Sequence, residues 1–256
     1  MAEFVTLTRK AASEATGTAF LLATVIGSGI MGERLSGGNV AIALLANTLA
    51  TGAALVALIL TFGPISGAHF NPAVTLADAS QGGVRWRDVP AYVVAQVSGA
   101  FLGVAAAHLM FGAPLFSVSL RARGGAAQMF SEFVATFGLL SVIWGVTRRR
   151  SDAAPFAVSA YITAAYWFTA STSFANPAVT LTRAFSNTFA GIRPADAPGF
   201  ILAQLLGAAA ATLLFRRLAP ALPESARAVV IRRDEAAFLS GNEVKADGPL
   251  TGRENF

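Results

Sequence analysis

The sequence predicts an all-α membrane protein with six transmembrane helices and two short re-entrant half-helices. Of its 256 residues, 54% are hydrophobic and only 13% are charged, and the mean hydropathy is +0.58, which is typical of membrane proteins. Six apolar stretches each approach the roughly 20 residues that a helix needs to cross a bilayer. The hexapeptide NPAVTL also occurs twice, from Asn71 and from Asn176.

The six predicted crossings follow one another along the chain, and the fifth is the shortest. They cover about residues 12–32, 40–62, 89–111, 127–147, 154–171 and 196–217. The first crossing lacks the small-residue cleavage pattern that ends a signal peptide. We therefore expect it to remain in the protein.

Basic residues cluster at the ends of the crossings, and an even number of crossings separates one cluster from the next. All four clusters therefore lie on one side of the membrane, and the positive-inside rule places that side and both termini in the cytoplasm. The clusters are Arg9 with Lys10, Arg85 with Arg87, Arg148 with Arg149 and Arg150, and Arg216 with Arg217. Since the net charge of +5 belongs to these membrane edges, we expect no nucleic-acid partner.

The composition leaves little material for catalysis. Cysteine is absent, and the two histidines, His69 and His108, lie in different segments. We therefore expect no enzyme activity, no catalytic residues, no cofactor and no metal site.

The duplication extends well beyond the hexapeptide. SEATGTAFLLA from Ser13 is similar to SEFVATFGLLS from Ser131, and AQVSGAFLG from Ala95 is similar to AQLLGAAAA from Ala203. The Glu, Asn-Pro-Ala and Gln positions recur at offsets of 118, 105 and 108 residues (132 − 14, 176 − 71 and 204 − 96). Each half holds three crossings, an odd number, so the second half must be inverted about a pseudo-twofold axis in the membrane plane.

Each Asn-Pro-Ala motif is expected to start a re-entrant half-helix, NPAVTLADA in the first half and NPAVTLTRAF in the second. Asn is a favoured N-cap, and Pro fits the first helical position. The preceding segments, GPISGAHF and TASTSFA, should line a path, because irregular backbone at membrane depth survives only in protein or against a wet cavity. Two half-helix N-termini meeting at mid-membrane would each carry about +0.5 of an elementary charge and repel cations.

These features predict a narrow pore for neutral molecules and a division of the chain into two parts. The channel domain is expected over residues 1–218, with one repeat over about 10–112 and the other over about 127–218. Residues 219–256 are polar and mixed in charge, and we expect them to form a cytoplasmic tail.

SGAHFNPAVT, the second Asn-Pro-Ala motif, the paired Glu residues and the paired Ala-Gln segments resemble the aquaporin and glycerol-facilitator family, over about residues 10–218. The resemblance implies the inverted-repeat aquaporin fold and a homotetramer with one pore per subunit. It implies a multi-pass protein in the lipid of a bacterial inner membrane, passing water and small uncharged solutes. The pore motifs it implies are Asn71, Pro72, Ala73, Asn176, Pro177 and Ala178.

The resemblance also implies which residues support the two loops before the motifs. Glu14 and Glu132 are expected to bind backbone N–H groups of these loops, and a role in proton coupling is the alternative. Gln96 and Gln204 are expected to bond the loop backbone as well. The pore-lining carbonyls are expected from Gly67, Ala68 and His69.

The outer constriction, or selectivity filter, is where this sequence departs from the family. Most members continue the second motif with Arg, whereas this chain has Val179, which predicts a wider, less polar constriction with weaker cation exclusion. Arg183 lies about one helical turn further on the same face and offers a substitute charge. We expect it instead to cap the half-helix or to pair with loop residues outside the membrane.

The other filter positions are less closely fixed by the spacing. Thr51 stands where water-selective members have a bulky aromatic residue, so it predicts a larger opening. The filter residue from the segment before the second motif is Ser173 or Phe174. The fifth-helix position, which an Ala would leave open and a Tyr would narrow, is one of Ala164, Ala165 and Tyr166.

The sequence resembles a bacterial branch of the family that has Val in place of the filter Arg and is associated with arsenic resistance. The implied cargo is glycerol and small hydroxides such as arsenous acid, with methylated arsenicals as a further candidate, besides water. A water-dominant channel narrowed by Tyr166 or Phe174 is the first alternative. A proton-coupled transporter using Glu14 or Glu132 is the second.

Overall fold

The computed structural model describes residues 5–148 and 150–218, and within them the chain is helical without strands. The predicted tail over residues 219–256 lies outside the described residues. Short 3-10 turns at Trp86–Asp88, Ser151–Ala153 and Pro194–Asp196 precede α4, α6 and α8. The α-helices of the described residues are α1 (Leu7–Leu35), α2 (Val40–Ser66), α3 (Pro72–Ser80), α4 (Val89–Met110), α5 (Ala126–Thr147), α6 (Ala154–Phe168), α7 (Pro177–Arg183) and α8 (Ala197–Leu218).

Five of the described helices, α1, α2, α4, α5 and α8, are long and apolar enough to cross a membrane. The fifth predicted crossing corresponds to α6, whose 15 residues extend for only about 22 Å. It ends at Phe168, three residues before the predicted end, because the chain turns there toward the second motif. The predicted fold class is confirmed, with a fifth helix shorter than expected.

The two halves repeat the same packing. α1 packs against α2 and α4, α5 packs against α6 and α8, and α2 meets α6 between the halves. Glycines allow the closest crossings: a Cβ on Gly99 of α4 would lie 2.2 Å from the carbonyl oxygen of Ala15. A Cβ on Gly207 of α8 would lie 2.5 Å from the carbonyl oxygen of Phe133, so the equivalent backbones touch in both halves.

The short helices α3 and α7 begin at the two Asn-Pro-Ala motifs. Asn71 and Asn176 are the N-caps, and Pro72 and Pro177 occupy the first helical positions, where a missing N–H costs nothing. Both helices pack against α4 and α8, and they contact each other. Neither is long enough to cross a bilayer, as expected of half-helices.

The outward faces of the long helices are apolar. Leu49 of α2, Leu102 of α4 and Leu206 of α8 are each more than half exposed. Such a surface suits lipid rather than water, because its side chains are apolar and the backbone polar groups of a helix interior are bonded within the helix.

The face opposite the two described chain ends, here called the outer face, carries a folded loop. Residues 111–125 pair with residues 184–193 through backbone bonds, such as the 2.9 Å bond from the Ser119 N–H to the Ala184 carbonyl. An ion pair of 2.6 Å joins Arg121 to Glu33 at the end of α1. This loop places Arg123 beside the segment that precedes the second motif.

Candidate functional site

A central cavity lies between the two halves, where the N-termini of α3 and α7 meet. Its volume of about 70 Å³ for water-sized molecules exceeds the roughly 10–15 Å³ that one water requires, so it can hold a short row of waters. Its walls are mostly apolar. Four helices contribute pairs of residues four apart, namely Leu21 and Val25, Leu55 and Ile59, Leu139 and Ile143, and Val158 and Ile162.

None of these apolar wall residues was predicted from the sequence. Two signals were available in the sequence: the spacing of four, which keeps both members on one helix face, and the repeat itself. Leu139 and Ile143 follow Leu21 and Val25 at the offset of 118 residues that separates Glu132 from Glu14.

Asn71 and Asn176 lie in the cavity wall and bind each other's loops. The Asn71 side chain accepts from the Ala73 N–H at 2.9 Å and donates through Nδ2 to the Ala175 carbonyl at 2.7 Å. Asn176 likewise accepts from Ala178 and donates to the Phe70 carbonyl at 2.7 Å. An amide nitrogen carries two hydrogens, so each Asn retains one donor for a molecule in the cavity.

A buried carboxylate holds the first loop. Glu14 accepts from the His69 N–H at 3.0 Å and from the Phe70 N–H at 2.7 Å. The Ser66 hydroxyl donates to the same carboxylate at 2.6 Å. Charge-assisted bonds of this kind are about twice as strong as neutral ones, which suits a site without bulk water.

The second loop is held in the same way. Glu132 accepts from the N–H groups of Phe174 and Ala175, both at 2.8 Å. These two residues follow His69 and Phe70 at the motif offset of 105. The carboxylates thus bind loop N–H groups in both halves, in the arrangement that the resemblance implied.

Gln96 and Gln204 act differently from the sequence-based expectation. Gln96 does not bond the loop backbone; its Nε2 donates to Glu14 at 2.8 Å and to the Thr75 hydroxyl at 2.9 Å. Gln204 donates to Glu132 at 2.6 Å and to Thr180 at 2.8 Å. Each amide therefore links the carboxylate to its half-helix.

Thr75 and Thr180, which the sequence analysis did not single out, complete this link. Each hydroxyl donates to the carbonyl of the Asn in its own motif, at 3.0 Å in the first half and 2.9 Å in the second. The signal for them was present, because both threonines belong to the repeated hexapeptide.

The two loops hold their backbone in an unusual conformation at equivalent positions. Ala68 and Phe70 have φ of 49° and 51°, and Ser173 and Ala175 have φ of 50° and 46°. The left-handed region is uncommon for residues with a Cβ and costs of order 1–3 kcal/mol each. The bonds to Glu14 and Glu132 offset this cost, so the carboxylates and the strained loops form one unit.

Of the three residues expected to contribute pore-lining carbonyls, Ala68 and His69 line the cavity, but Gly67 does not. Gly67 instead ends α2 with a φ of 93°, a conformation that glycine adopts readily. The His69 ring lies 3.1 Å from the Thr75 hydroxyl and 3.7 Å from the Asp78 carboxylate. Its side chain is thus tied to α3.

At the outer end of the cavity, Tyr166 of α6 faces Thr51 of α2. Both line the cavity, and the Tyr166 hydroxyl lies 3.3 Å from that of Thr51. Ala164 is exposed and Ala165 is buried away from the cavity, so neither occupies the fifth-helix position. The helix turn places the aromatic ring inward and leaves the two alanines on other faces.

Ser173, Phe174 and Val179 also line the outer part of the cavity, so both candidates before the second motif contribute. The remaining motif residues do not face it. They pack as the first turns of the two half-helices, where Pro and Ala keep the backbones close, and they are Pro72, Ala73, Pro177 and Ala178.

Arg183 pairs with a residue of the outer loop, which was one of its two expected roles, but it lies in the cavity wall rather than outside the membrane. Its side chain is buried, with 2% of its surface exposed, and it lines the cavity. Nε donates to the Ala190 carbonyl of the outer loop, and the guanidinium lies 3.4 Å from the ring centroid of Phe174. The loop over residues 184–193 folds back across α7 and encloses the side chain.

Comparison with known proteins relates this site to a family. The chain matches the family model described as "Major intrinsic protein" over residues 1–170. It is 56% identical over 218 residues to "Aquaglyceroporin AqpS" of Rhizobium meliloti (strain 1021), covering 85% of this chain and 93% of that protein. It is 42% identical over 116 residues to "Aquaporin NIP1-1" of Zea mays, covering 43% of this chain and 41% of that protein.

The fold is also similar to that of a solved structure. An aquaglyceroporin from Plasmodium falciparum superposes with a TM-score of 0.60 at 21% identity, covering 84% of this chain and 98% of that one. At this identity the likeness concerns the fold alone.

Proposed function

The chain belongs to the major intrinsic protein family, and from that premise we propose that it is a passive membrane channel for water and small neutral solutes such as glycerol. The observation that carries this proposal is the reciprocal pair of Asn71 and Asn176 in the cavity wall. Each presents an amide donor at the positive end of a half-helix. Hydroxyl and water oxygens can accept from these donors, whereas cations are repelled.

The carboxylates favour a channel over a coupled transporter. Glu14 and Glu132 are fully buried, and backbone N–H groups and a glutamine amide occupy their oxygens. A proton-coupling group must change its charge during transport. Protonation here would release loop residues held in the left-handed conformation, so a supporting role suits these residues better.

The finer proposal concerns the cargo. Val179 offers an aliphatic side chain at the outer end of the cavity, where most family members resembling this chain have Arg. We therefore assign glycerol-like polyols, and metalloid hydroxides such as arsenous acid and its methylated forms, to this pore. These solutes combine small size, no charge and several hydroxyls, which match apolar walls with two amide donors.

One observation favours a water-dominant channel as the second candidate. Tyr166 and Thr51 approach to 3.3 Å between their hydroxyls, which narrows the cavity at its outer end. A pore that stays closed to glycerol at this pair would pass water alone.

Light-scattering flux in proteoliposomes separates these candidates. Water, glycerol and arsenous acid are compared for the wild type, Val179→Arg and Val74→Arg, the last carrying the same change at the position 105 residues earlier. The proposal expects the wild type to pass all three solutes and Val179→Arg to reduce the larger two while sparing water. Water flux alone in the wild type would support the second candidate, and the absence of any flux would refute the channel.

Three further proposals follow from the family. The channel domain extends over residues 1–218, four subunits form a homotetramer with one pore each, and both termini lie in the cytoplasm of a bacterium. The apolar outward faces of α2, α4 and α8 support burial in lipid or against other subunits.

A further inference from the structure

We propose that Arg183 supplies the fixed positive charge of the outer constriction and that Phe174 holds its guanidinium beside the lumen. This inference rests on the proposed channel function and names a side chain that adds to the repulsion of cations by the two half-helices. Arg183, the last residue of α7, carries the positive charge that the aliphatic side chain of Val179 lacks.

The position of Arg183 fits this role. It lies four residues after Val179, which is about 6 Å along the axis of α7 and on the same face. Val179, Phe174 and Arg183 all line the cavity. The charge is therefore displaced by one turn toward the outer face, and the wall beside Val179 stays apolar.

The guanidinium is held in place from two sides. Its centre lies 3.4 Å from the centroid of the Phe174 ring, within the range of a cation–π contact. On the other side, Nε donates to the Ala190 carbonyl. Among the described residues this is the hydrogen bond that the guanidinium makes, so its Nη groups remain able to donate to a solute in the cavity.

No carboxylate contacts the guanidinium of Arg183 among the described residues, and Glu132 acts on it only from a distance. A second cation, Arg123, lies 5.2 Å from the centroid of the same Phe174 ring. Arg123 is fixed by carbonyls, including that of Gly191 at 2.8 Å, so it stabilises the outer loop and adds to the positive potential there.

A buried cation that no carboxylate contacts repels other cations, because the low dielectric of the site screens little of its charge. Neutral hydroxyl compounds are not repelled, and they can accept hydrogen bonds from the Nη groups. The constriction thus has an apolar wall at Val179, and Arg183, one helical turn away, repels cations.

The test compares cation leak with neutral flux in proteoliposomes that contain the full chain. The variants are Arg183→Gln and, as a matched control, Arg34→Gln. Arg34 also stacks on an aromatic ring, that of Phe111 at 5.2 Å, and donates to the Phe111 carbonyl at 3.0 Å, but it is exposed and away from the cavity. Potassium and proton leak are followed with a fluorescent dye under an imposed potential, and glycerol flux by light scattering.

Arg183→Gln should raise the ratio of cation leak to glycerol flux by about tenfold or more, because the repelling charge is lost. Arg34→Gln should leave the ratio at its wild-type value. Two further variants separate charge from folding. Arg183→Lys should keep cation exclusion, and adding Val179→Arg to Arg183→Gln should restore it.

Each result decides between the proposals. Glycerol flux in the wild type with an unchanged ratio in Arg183→Gln overturns the role of Arg183 and leaves the channel proposal intact. No water or glycerol flux in the wild type refutes the channel itself. If Arg183→Gln does not fold, Arg183→Lys decides. A ratio of cation leak to glycerol flux many times that of the wild type overturns the inference, and a wild-type ratio supports it.

Discussion

The hydroxyl of Tyr166 and the hydroxyl of Thr51 lie 3.3 Å apart across the outer end of the cavity. One belongs to α6 in the second half and the other to α2 in the first, so this contact joins the two halves at the entrance. It also brings an aromatic ring to the outer end of the cavity, where Thr51 alone had predicted a wide opening.

We expect Tyr166→Ala to raise glycerol flux relative to water flux by about tenfold, because small changes in a fitted contact alter discrimination by that order. Tyr166→Phe keeps the ring and removes only the hydroxyl, and it should change the ratio far less. Stopped-flow light scattering measures both fluxes. Equal ratios in Tyr166→Ala and the wild type would show that another residue limits solute size.

Glu132→Gln should destabilise the protein by roughly 2–3 kcal/mol. The change removes a charged acceptor from the N–H groups of Phe174 and Ala175 and turns one oxygen into a donor that faces them. Thermal unfolding in detergent measures the loss. Glu33→Gln is the control, since Glu33 is about half exposed and its pair with Arg121 contributes little. A Glu132→Gln variant as stable as this control would contradict the supporting role.

Asn176→Asp isolates the reciprocal bond between the motifs. The aspartate can still cap α7 by accepting from the Ala178 N–H, but it places an oxygen where Nδ2 now donates to the Phe70 carbonyl at 2.7 Å. Two acceptors then face each other, and we expect a loss of roughly 1–3 kcal/mol in unfolding free energy and a lower glycerol flux. Asn39→Asp, at the exposed N-cap of α2, is the control and should cost little. Equal unfolding temperatures for the two variants would refute this role of Asn176.

Gly207→Ala should cost about 1–3 kcal/mol, because the added methyl group would meet the Phe133 carbonyl oxygen at 2.5 Å and push α8 away from α5. Gly145→Ala makes the same change in α5, where the nearest atoms lie 3.7 Å away. It should be neutral or stabilising by up to about 1 kcal/mol, since Ala favours the helix. Thermal unfolding of the purified variants measures the difference. A higher melting temperature for Gly207→Ala than for Gly145→Ala would contradict the close crossing of α5 and α8.

Much of the fold could be predicted because the two halves of the chain repeat the same sequence pattern. The repeat located Glu14 and Glu132, and it gave the order of crossings and half-helices. Helix starts at Val40, Val89 and Ala126 lie within one residue of the predicted ones. Apolar length and capping residues are local properties, so sequence alone reveals them.

The outer constriction could not be predicted as well, because its shape depends on contacts between distant segments. The spacing left Ala164, Ala165 and Tyr166 open, and only the helix rotation relative to the cavity distinguishes them. Arg183 was expected to cap α7 or to pair with loop residues outside the membrane, and its burial in the cavity wall was missed, since nothing in NPAVTLTRAF shows that a later loop folds over it. The two glutamines were placed near the correct loops but given the wrong partners, because a glutamine can bond carboxylate, hydroxyl or backbone equally well.

The reciprocal bonds of Asn71 and Asn176 also have a consequence for the time course of synthesis. The first motif emerges from the ribosome 105 residues before the second (176 − 71). At the usual elongation rate of about 5–20 residues per second, the first motif waits roughly 5–20 s for its partner. Throughout that interval the Phe70 carbonyl has no asparagine to accept from, so the bonds between the two motifs can form only after residue 176 has been made.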